Sequence, residues 1–347
     1  MRWSGQALDA DDGALPGLER AGLVRSVQTP EFEGITFHEV LCKSALNKMP
    51  EESTLPFSFT VNAFRGCSHA CRYCFARPSH EYLDLDAGAD FDSQVVVKTN
   101  IAAVLRKELA RKSWKREAVA LGTNTDPYQR AEGRYRLMPG IIRALTESGT
   151  PFSILTKGTL LRRDLPLLKM AAAQVDVGIG VSLAINDAAL QKQIEPGTPV
   201  AAGASRDDPR HHRRGILVQC HGGAGHSVPH RLHQSSRRAV RGTVRSRCDE
   251  CDGLPDAPAG GSTRGGWFMN WLAQEHPALI RRYRELYGRG AYVTPEYKRW
   301  LASRVEPLVE RHGLGGRSEH RDVSAAGSEP REAPRELVGA GAALTLF

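Results

Sequence analysis

The chain has 347 residues, of which 41% are hydrophobic, 25% charged and 7% aromatic. That is enough for one large domain or two ordinary ones with a sizeable core, and it excludes a disulfide-stapled miniprotein. No apolar stretch approaches the roughly 20 residues of a membrane helix, and Asp9, Asp11 and Asp12 stand where a signal peptide would be apolar. We therefore expect a soluble, cytoplasmic protein whose seven cysteines are ligands, catalytic thiols or buried side chains rather than disulfides.

The net charge of +8 would suit a nucleic-acid partner, because Lys and Arg neutralise phosphates. Half of that charge lies in residues 200–262, where ten arginines face five aspartates and one glutamate. We attribute the remainder to a solvated surface.

The order of the predicted elements favours an α/β fold. Residues 1–55 form an extension with a strand at 34–38 and a helix at 39–47. From residue 56, strands and helices alternate, which indicates parallel strands joined by helical crossovers, with the functional residues at the carboxyl ends of the strands. The predicted strands cover residues 57–62, 94–98, 118–122, 152–156 and 175–182, and the predicted helices cover residues 101–112, 139–148 and 163–173.

The C-terminal part of the chain is predicted to be a helical cap followed by a tail. Helices are expected at 267–287 and 295–312, within a cap of residues 263–313. Residues 314–347 have few large apolar side chains and are predicted to be disordered. The second helix would carry one apolar face, made of Tyr297, Trp300, Leu301, Val305, Leu308 and Val309.

Three cysteines follow the first predicted strand of the alternating region. Cys67, Cys71 and Cys74 are spaced C-x3-C-x2-C, and three soft thiolates on one loop can hold three corners of a [4Fe–4S] cluster. The fourth iron would be open to bind and activate a small molecule. Structural zinc normally needs four ligands, and His69 inside the loop keeps a zinc site as an alternative with irregular spacing.

This spacing, with the aromatic Tyr73 before the last cysteine, resembles the radical S-adenosylmethionine (SAM) enzymes. Residues 62–67 (NAFRGC), 75–82 (FARPSHEY), 125–129 (TDPYQ), 157–158 and 163–164 resemble the spore-photolyase-like branch. The similarity runs from about residue 35 to 198 and resumes at about 266. It implies a partial (β/α)6 barrel that cleaves SAM reductively and abstracts a hydrogen atom from a substrate.

The resemblance also implies roles for single residues. Cys67, Cys71 and Cys74 would hold the [4Fe–4S] cluster. Residues 122–126, after the second barrel strand, would accept the methionine amino group through Asp126 or backbone carbonyls. Each role has a structural alternative: residues 126–127 could form only a turn, Lys157 could be a solvated charge, and Ser182 could be a hydroxyl at the end of a strand. The candidate SAM-binding residues are Tyr73 near the adenine, Thr123, Asn124, Asp126, Lys157 for the methionine carboxylate and Ser182 for the ribose.

The substrate is not identified by the sequence, and nucleic acid enters by analogy to DNA-repair photolyase-like proteins. The resemblance also implies a reductant such as flavodoxin or ferredoxin and no membrane partner. We interpret Cys42 as a buried structural thiol, and no motif marks a cysteine that returns a hydrogen atom, so repair chemistry is not carried over. The alternatives are a non-catalytic zinc- or cluster-bearing nucleic-acid-binding protein and an inactive pseudo-enzyme.

Residues 200–262 are anomalous, with six of the twelve histidines, three of the seven cysteines, no lysine and no aromatic residue. One interpretation is a zinc module. The other, which we favour, is translation out of frame, because a one-nucleotide shift of residues 219–234 and 251–259 can give two apolar strands. We therefore expect barrel strands five and six to be lost and the product to be unstable or inactive. The anomalous segment would lie between a core at 56–199 and the cap at 263–313. The zinc ligands would be Cys220, His221, His226, Cys248 and Cys251.

Overall fold

The computed structural model describes residues 7–8, 18, 21–51, 53, 55–185, 187–199, 217–221, 263–287 and 293–311. Within these ranges the chain forms two β-sheets with helices packed against them, which confirms the α/β class. The strands are β1 (Ala7–Leu8), β2 (Leu23–Gln28), β3 (Thr36–Val40), β4 (Leu46–Lys48), β5 (Phe59–Val61), β6 (Phe64–Arg65), β7 (Gln94–Lys98), β8 (Val119–Leu121), β9 (Phe152–Thr156), β10 (Val177–Ser182) and β11 (Leu217–His221).

The α-helices follow the predicted pattern closely between residues 101 and 172 and extend it. None of the described helices is long and apolar enough to cross a membrane. The helices are α1 (Ala89–Ser93), α2 (Ile101–Leu109), α3 (Arg130–Tyr135), α4 (Met138–Glu147), α5 (Leu161–Ala172), α6 (Ala188–Ile194), α7 (Thr263–Glu275), α8 (Ile280–Tyr287) and α9 (Pro295–Arg311), and short 3-10 helices cover Pro30–Phe32, Arg77–Leu83 and Pro277–Leu279.

The six-stranded sheet has the order β11-β10-β9-β8-β5-β4. Its strands β5, β8, β9, β10 and β11 run parallel, and β4 pairs with β5 in the antiparallel sense. Helices α4 and α5 connect successive parallel strands, as the alternation predicts. The carboxyl ends of β5, β8, β9 and β10 therefore lie along one edge, where parallel sheets of this kind bind their ligands.

The five-stranded sheet has the order β1-β2-β3-β7-β6. The predicted strand at 94–98 is present as β7, but it pairs with β3 and β6 instead of joining the parallel sheet. Between β5 and β7 the chain forms the cysteine loop and a 3-10 helix rather than a crossover helix of ordinary length, and β6 turns back antiparallel onto β7. This sheet therefore supports the cysteine loop from outside the parallel sheet.

The predicted helix at 39–47 is wrong. All five residues of β3 are buried, where they pair with β2 on one side and β7 on the other. The following turn is fixed by the Glu108 carboxylate, which accepts the backbone N–H groups of Ala45 and Leu46 at 3.0 and 2.9 Å. Tertiary pairing thus overrides local propensity, and the segment before residue 55 contributes strands to both sheets.

The expected loss of a fifth parallel strand is also wrong. Leu217–His221 pairs with residues 178–182 in parallel register as β11, and the β-branched Val218 next to Leu217 suits a strand. The remainder of residues 200–262 lies outside the described residues, as do His226, Cys248, Cys251 and the tail at 314–347. The sixth strand and the proposed change of frame fall on these residues.

One apolar core joins the two sheets. Phe37, Phe64 and Val97 of the five-stranded sheet pack in the same cluster as Leu121 and Ile154 of the parallel sheet, and α2 and α4 cover it. Fully burying a side chain of this size stabilises the fold by roughly 1.5–3 kcal/mol.

The C-terminal helices form a second, aromatic cluster around Trp271, Tyr283 and Tyr287, against which Tyr73 of the cysteine loop packs. The helices predicted at 267–287 and 295–312 are thus present as α7, α8 and α9, although Trp300 on the predicted apolar face of α9 is 47% exposed.

Candidate functional site

A glycine sets the start of the cysteine loop, residues 66–75. Gly66 has a φ of +80°, and a Cβ there would come within 2.9 Å of both the Gln94 carbonyl oxygen and the His80 ring. Only glycine meets both demands without strain. The Cys67 N–H then donates to the Phe91 carbonyl at 2.9 Å, which fixes the first cysteine against the outer helix α1.

Gln129 clamps the loop from the parallel-sheet side. Its amide oxygen accepts the Ser68 N–H at 2.9 Å, and its amide nitrogen donates to the Gly66 carbonyl at 3.0 Å. The side chain is fully buried, so both bonds are shielded from water. Gln129 ends the TDPYQ motif, but no pattern in the sequence marks it as a clamp on the cysteine loop.

Arg77 holds the loop from the outside. Its guanidinium is fully buried and donates to the carbonyls of Cys71, Ala87 and Gly88 and, through a pair of bonds at 2.8 and 3.0 Å, to the Asp92 carboxylate. The Trp267 ring of α7 covers it with its centroid 5.0 Å away. A buried arginine with all its donors used is a structural anchor, and this role was also missed.

The three thiols of the loop form a donor set suited to a cluster. Cys67 and Cys71 are buried, Cys74 is half-buried, and all three are free. Burial raises the pKa of Cys71 well above its ordinary range and that of Cys74 to about 12, so a metal must displace their protons. Among the described residues, no three His, Cys, Asp or Glu side chains could hold a single metal ion. Three separate thiolates instead fit the corners of a larger cluster.

Asp126 links the cysteine loop to the strand ends. Its carboxylate accepts the Thr156 hydroxyl at 2.5 Å and the backbone N–H groups of Lys157 and Tyr128 at 2.6 and 2.8 Å. The His69 ring lies 3.3 Å away. The predicted turn at residues 126–127 is therefore present, and both carboxylate oxygens are engaged.

His69 and Asp126 shift each other's pKa in the directions that favour an ion pair. Burial alone would lower the pKa of His69, but the adjacent Asp126 carboxylate and the Cys67 thiol outweigh burial and raise it to about 10. Burial likewise opposes the charge on Asp126, and the His69 imidazolium keeps the pKa of that carboxyl below its usual value. The pair joins the loop to β8 and β9.

A second group of charges lies at the ends of β9 and β10. The Lys157 ammonium is 2.9 Å from a carboxylate oxygen of Glu195 and donates to the Ser182 hydroxyl at 3.1 Å. The Tyr73 hydroxyl donates to the same Glu195 oxygen, and the ammonium lies 5.8 Å from the centre of the Tyr73 ring. Burial opposes the charge on Lys157, yet the Glu195 carboxylate raises its pKa.

Glu195 is carried by a strap, residues 194–198, that docks on the cysteine loop. The Ile194 carbonyl accepts the Arg72 N–H at 2.9 Å, and the Gly197 N–H donates to the His69 carbonyl at 3.0 Å. A Cβ on Gly197 would collide with the Ser68 carbonyl. Sequence reasoning missed Glu195; the only signal is an acidic residue before Pro-Gly at the end of a helix.

The structure thus brings most of the predicted site residues together. Lys157 contacts Ser182 and, through its backbone N–H, Asp126. Tyr73 reaches Lys157 through Glu195. The cysteine loop meets Asp126 through His69, which lies between Cys67 and Cys71. Thr123 and Asn124 are half-buried in the same loop as Asp126, and their side chains make no hydrogen bond with the described part of the chain. Cys42 is half-buried, with its backbone held by Asn100, in keeping with a structural thiol.

Comparison with known protein families gives one domain match. Residues 61–201 match the family model described as the radical SAM superfamily. An uncharacterized protein of Mycobacterium tuberculosis (strain H37Rv) is 57% identical over 328 residues, which cover 92% of this chain and 95% of that protein. An uncharacterized protein of Methanocaldococcus jannaschii is 27% identical over 141 residues, or 41% of this chain and 50% of that protein.

Two solved structures share the fold. A single-residue mutant of spore photoproduct lyase matches with a TM-score of 0.50 and 14% identity, over 80% of this chain and 78% of that chain. Spore photoproduct lyase complexed with dinucleoside spore photoproduct matches with the same values.

Proposed function

This chain is an enzyme of the radical SAM superfamily, and on that premise we propose that Cys67, Cys71 and Cys74 hold a [4Fe–4S] cluster beside a SAM site. The observation that carries the proposal is that the loop with three free thiols docks on the strap that carries Glu195, the partner of Lys157 at the strand ends. A bound cluster supplies the electron for reductive cleavage of SAM, after which a hydrogen atom is taken from the substrate.

The chain's own residues hold the loop for that task. Arg77 fixes the Cys71 carbonyl from outside, and Gln129 fixes Gly66 and Ser68 from inside. The His69 imidazolium stays paired with Asp126, so a positive charge sits inside the loop near three thiolates. That charge offsets part of the repulsion between the thiolates when their protons leave.

SAM would lie against the ends of β8, β9 and β10. Lys157 donates to the methionine carboxylate, Ser182 faces the ribose hydroxyls and Tyr73 lies near the adenine. Thr123, Asn124 and the backbone carbonyls of residues 122–124 line the amino-group side. Asp126, whose oxygens are engaged by the protein, positions this loop.

We further propose that β5, β8, β9, β10 and β11 are the first five strands of a partial (β/α)6 barrel, with a core at 56–199 and a cap at 263–313. Nucleic acid is the substrate class we favour. The complex of spore photoproduct lyase with dinucleoside spore photoproduct supports it by analogy. A reductant such as flavodoxin or ferredoxin would supply electrons in the cytoplasm.

The test is anaerobic reconstitution with iron and sulfide. We expect a brown protein with about four irons per chain, which releases 5′-deoxyadenosine and methionine from SAM when a strong reductant is added. The matched control replaces Cys71 with Ala and should lose the colour and the product. A colourless wild-type protein that retains zinc would contradict the proposal and favour the non-catalytic alternative.

We propose that part of residues 200–262 is translated out of frame. Because β11 pairs with β10, the proposal applies to the residues before and after β11 and not to the strand itself. Sequencing codons 198–266 tests it. A one-base gain or loss at each end would make the restored chain the protein to assay, whereas an unchanged sequence would remove the proposal. In that case the His- and Cys-rich composition belongs to the natural chain, and the zinc-module and pseudo-enzyme interpretations gain support.

A further inference from the structure

The last two helices, α8 and α9, expose arginines that the described fold leaves without ionic partners. Arg281 and Arg299 lie 3.6 and 3.4 Å from glutamates on their own helices, and such exposed pairs are weak. The exposed arginines of these helices that form no ion pair with the described part of the chain are Arg282, Arg284 and Arg304. Their positive charge is available to a polyanion.

The same helices expose a tryptophan. Trp300 of α9 is 47% exposed, although a ring of this size usually packs into a core or an interface. Tyr297 packs on the aromatic cluster of the cap, and its ring centroid lies 5.4 Å from that of Trp300. The Arg304 guanidinium lies 5.7 Å from the centre of the indole. Trp300 is therefore held by its neighbours while nearly half of it stays open to solvent.

Helix geometry places two of the arginines beside the aromatic cluster. Tyr283 and Tyr287 of α8 are buried in the cluster against which Tyr297 packs. Successive helical residues are about 100° apart around the axis, so Arg282 and Arg284 border the Tyr283–Tyr287 stripe on its two sides. We use the name cap surface for the exposed side chains of Arg282, Arg284, Trp300 and Arg304.

This combination suits a single-stranded nucleic acid better than an acidic protein. Phosphodiesters supply negative charge, and every base has a flat face that stacks on an aromatic side chain. An acidic protein would satisfy the arginines but would leave the indole without a flat partner. Tyr73 of the cysteine loop packs against the same aromatic cluster as α8 and α9, so a strand on the cap surface would lie on the element next to that loop.

We propose that the cap surface binds a single strand of nucleic acid, with a base stacked on Trp300 and phosphates held by the three arginines. The proposal rests on the proposed function, because it names how the favoured substrate class is held near the cysteine loop. It concerns docking of the strand and not the chemistry of the cluster.

The test is fluorescence anisotropy of the iron-loaded, full-length protein with a labelled single-stranded oligothymidylate of about 12 nucleotides. Trp300→Ala should weaken binding at least about fivefold, because a stacked base is lost, and it should leave the salt dependence unchanged. Trp300→Phe keeps a ring and should recover most of the affinity. Arg282→Gln combined with Arg284→Gln should weaken binding and reduce the slope of log K against log salt by about 1.4, because two phosphate contacts are lost.

The matched control removes two cations from the other end of the parallel sheet. Lys112 and Lys115 are exposed in the segment between α2 and β8, at the amino end of β8 and so opposite the strand ends that carry the candidate site. Lys112→Gln combined with Lys115→Gln changes the net charge as much as the arginine variant does. It should leave both the affinity and the salt slope close to those of the wild type.

Equal losses in the arginine variant and the lysine control would overturn the proposal, because binding would then follow net charge alone. Cap variants that bind the strand as the wild type does but accept electrons from flavodoxin more slowly would also overturn it and assign the surface to the reductant. So would a wild type that binds no strand yet releases 5′-deoxyadenosine from SAM, and the radical SAM chemistry would stand. Strand binding without release of 5′-deoxyadenosine would instead refute the proposed function, so the two failures are distinguishable.

Discussion

Two buried ion pairs flank the cysteine loop, and they are built differently. On the outer side, Arg77 and Asp92 meet through a pair of hydrogen bonds, and the other donors of the guanidinium end on backbone carbonyls. On the inner side, Lys157 and Glu195 meet through one contact and leave a carboxylate oxygen in reserve. The saturated pair maintains structure, whereas the unsaturated pair has capacity to bind.

The outer pair, Arg77 and Asp92, should matter most for the stability of the fold. Arg77→Leu leaves Asp92 and the Cys71 carbonyl buried without their donors, and we expect a loss of roughly 3–5 kcal/mol in the free energy of unfolding. Anaerobic urea denaturation of the iron-free protein measures it. Arg72→Leu is the matched control, because Arg72 also lies over the Trp267 ring but its guanidinium donates no hydrogen bond within the described residues, and it should cost less than about 1 kcal/mol. Equal losses in the two variants would contradict the anchoring role.

His80, in the 3-10 helix beside Arg77, should make the stability of the fold sensitive to acid. Burial lowers the pKa of His80 to about 4 from an ordinary 6.5, while its ring stays within 2.8 Å of the Gln94 carbonyl. Between these values the unfolded chain binds more protons, so stability is complete above pH 6.5 and falls as the pH drops toward 4, by up to roughly 3 kcal/mol. Denaturation at several pH values measures the slope. His80→Gln should reduce it, and a slope that is unchanged in this variant would place the acid sensitivity elsewhere.

On the inner side, Lys157→Gln should lower stability by about 1–3 kcal/mol, because Glu195 loses its strongest partner. It should also reduce the affinity for S-adenosylhomocysteine at least about tenfold. Adding Glu195→Gln removes the unpaired charge, so the double variant should recover stability but not affinity. Denaturation and calorimetry on the same four proteins complete the cycle. Simple additivity of the stability losses would show that the two side chains do not interact.

Ser182 should contribute less than Lys157 to both stability and binding. Ser182→Ala removes one hydroxyl contact to Lys157, for which we expect about 1 kcal/mol or less in stability and a several-fold loss in affinity for S-adenosylhomocysteine. Ser182→Thr keeps the hydroxyl and should restore the affinity. An affinity equal to that of the wild type in the alanine variant would remove Ser182 from the ribose side.

The predictable parts of the molecule are those whose cause is local in sequence. The strand Gln94–Lys98 and the cysteine loop follow from periodicity and spacing. Glu195 and Gln129 depend on partners 122 and 61 residues away, so no local pattern marks them. The helix predicted at 39–47 failed for the same reason, since strand pairing with β2 and β7 decides that segment. The five residues Leu217–His221 are too few to show a clear strand pattern. Their strand conformation follows from pairing with β10.

The docking of residues 194–198 on the cysteine loop has a consequence for biosynthesis. The loop is translated more than a hundred residues before the strap that supports it, and contacts of such separation form late. Until residue 198 has left the ribosome, the carbonyl of His69 has no Gly197 and Tyr73 has no Glu195. We therefore expect iron–sulfur assembly to act only after the strap has left the ribosome, so a ribosome-stalled chain ending before the strap should bind iron poorly.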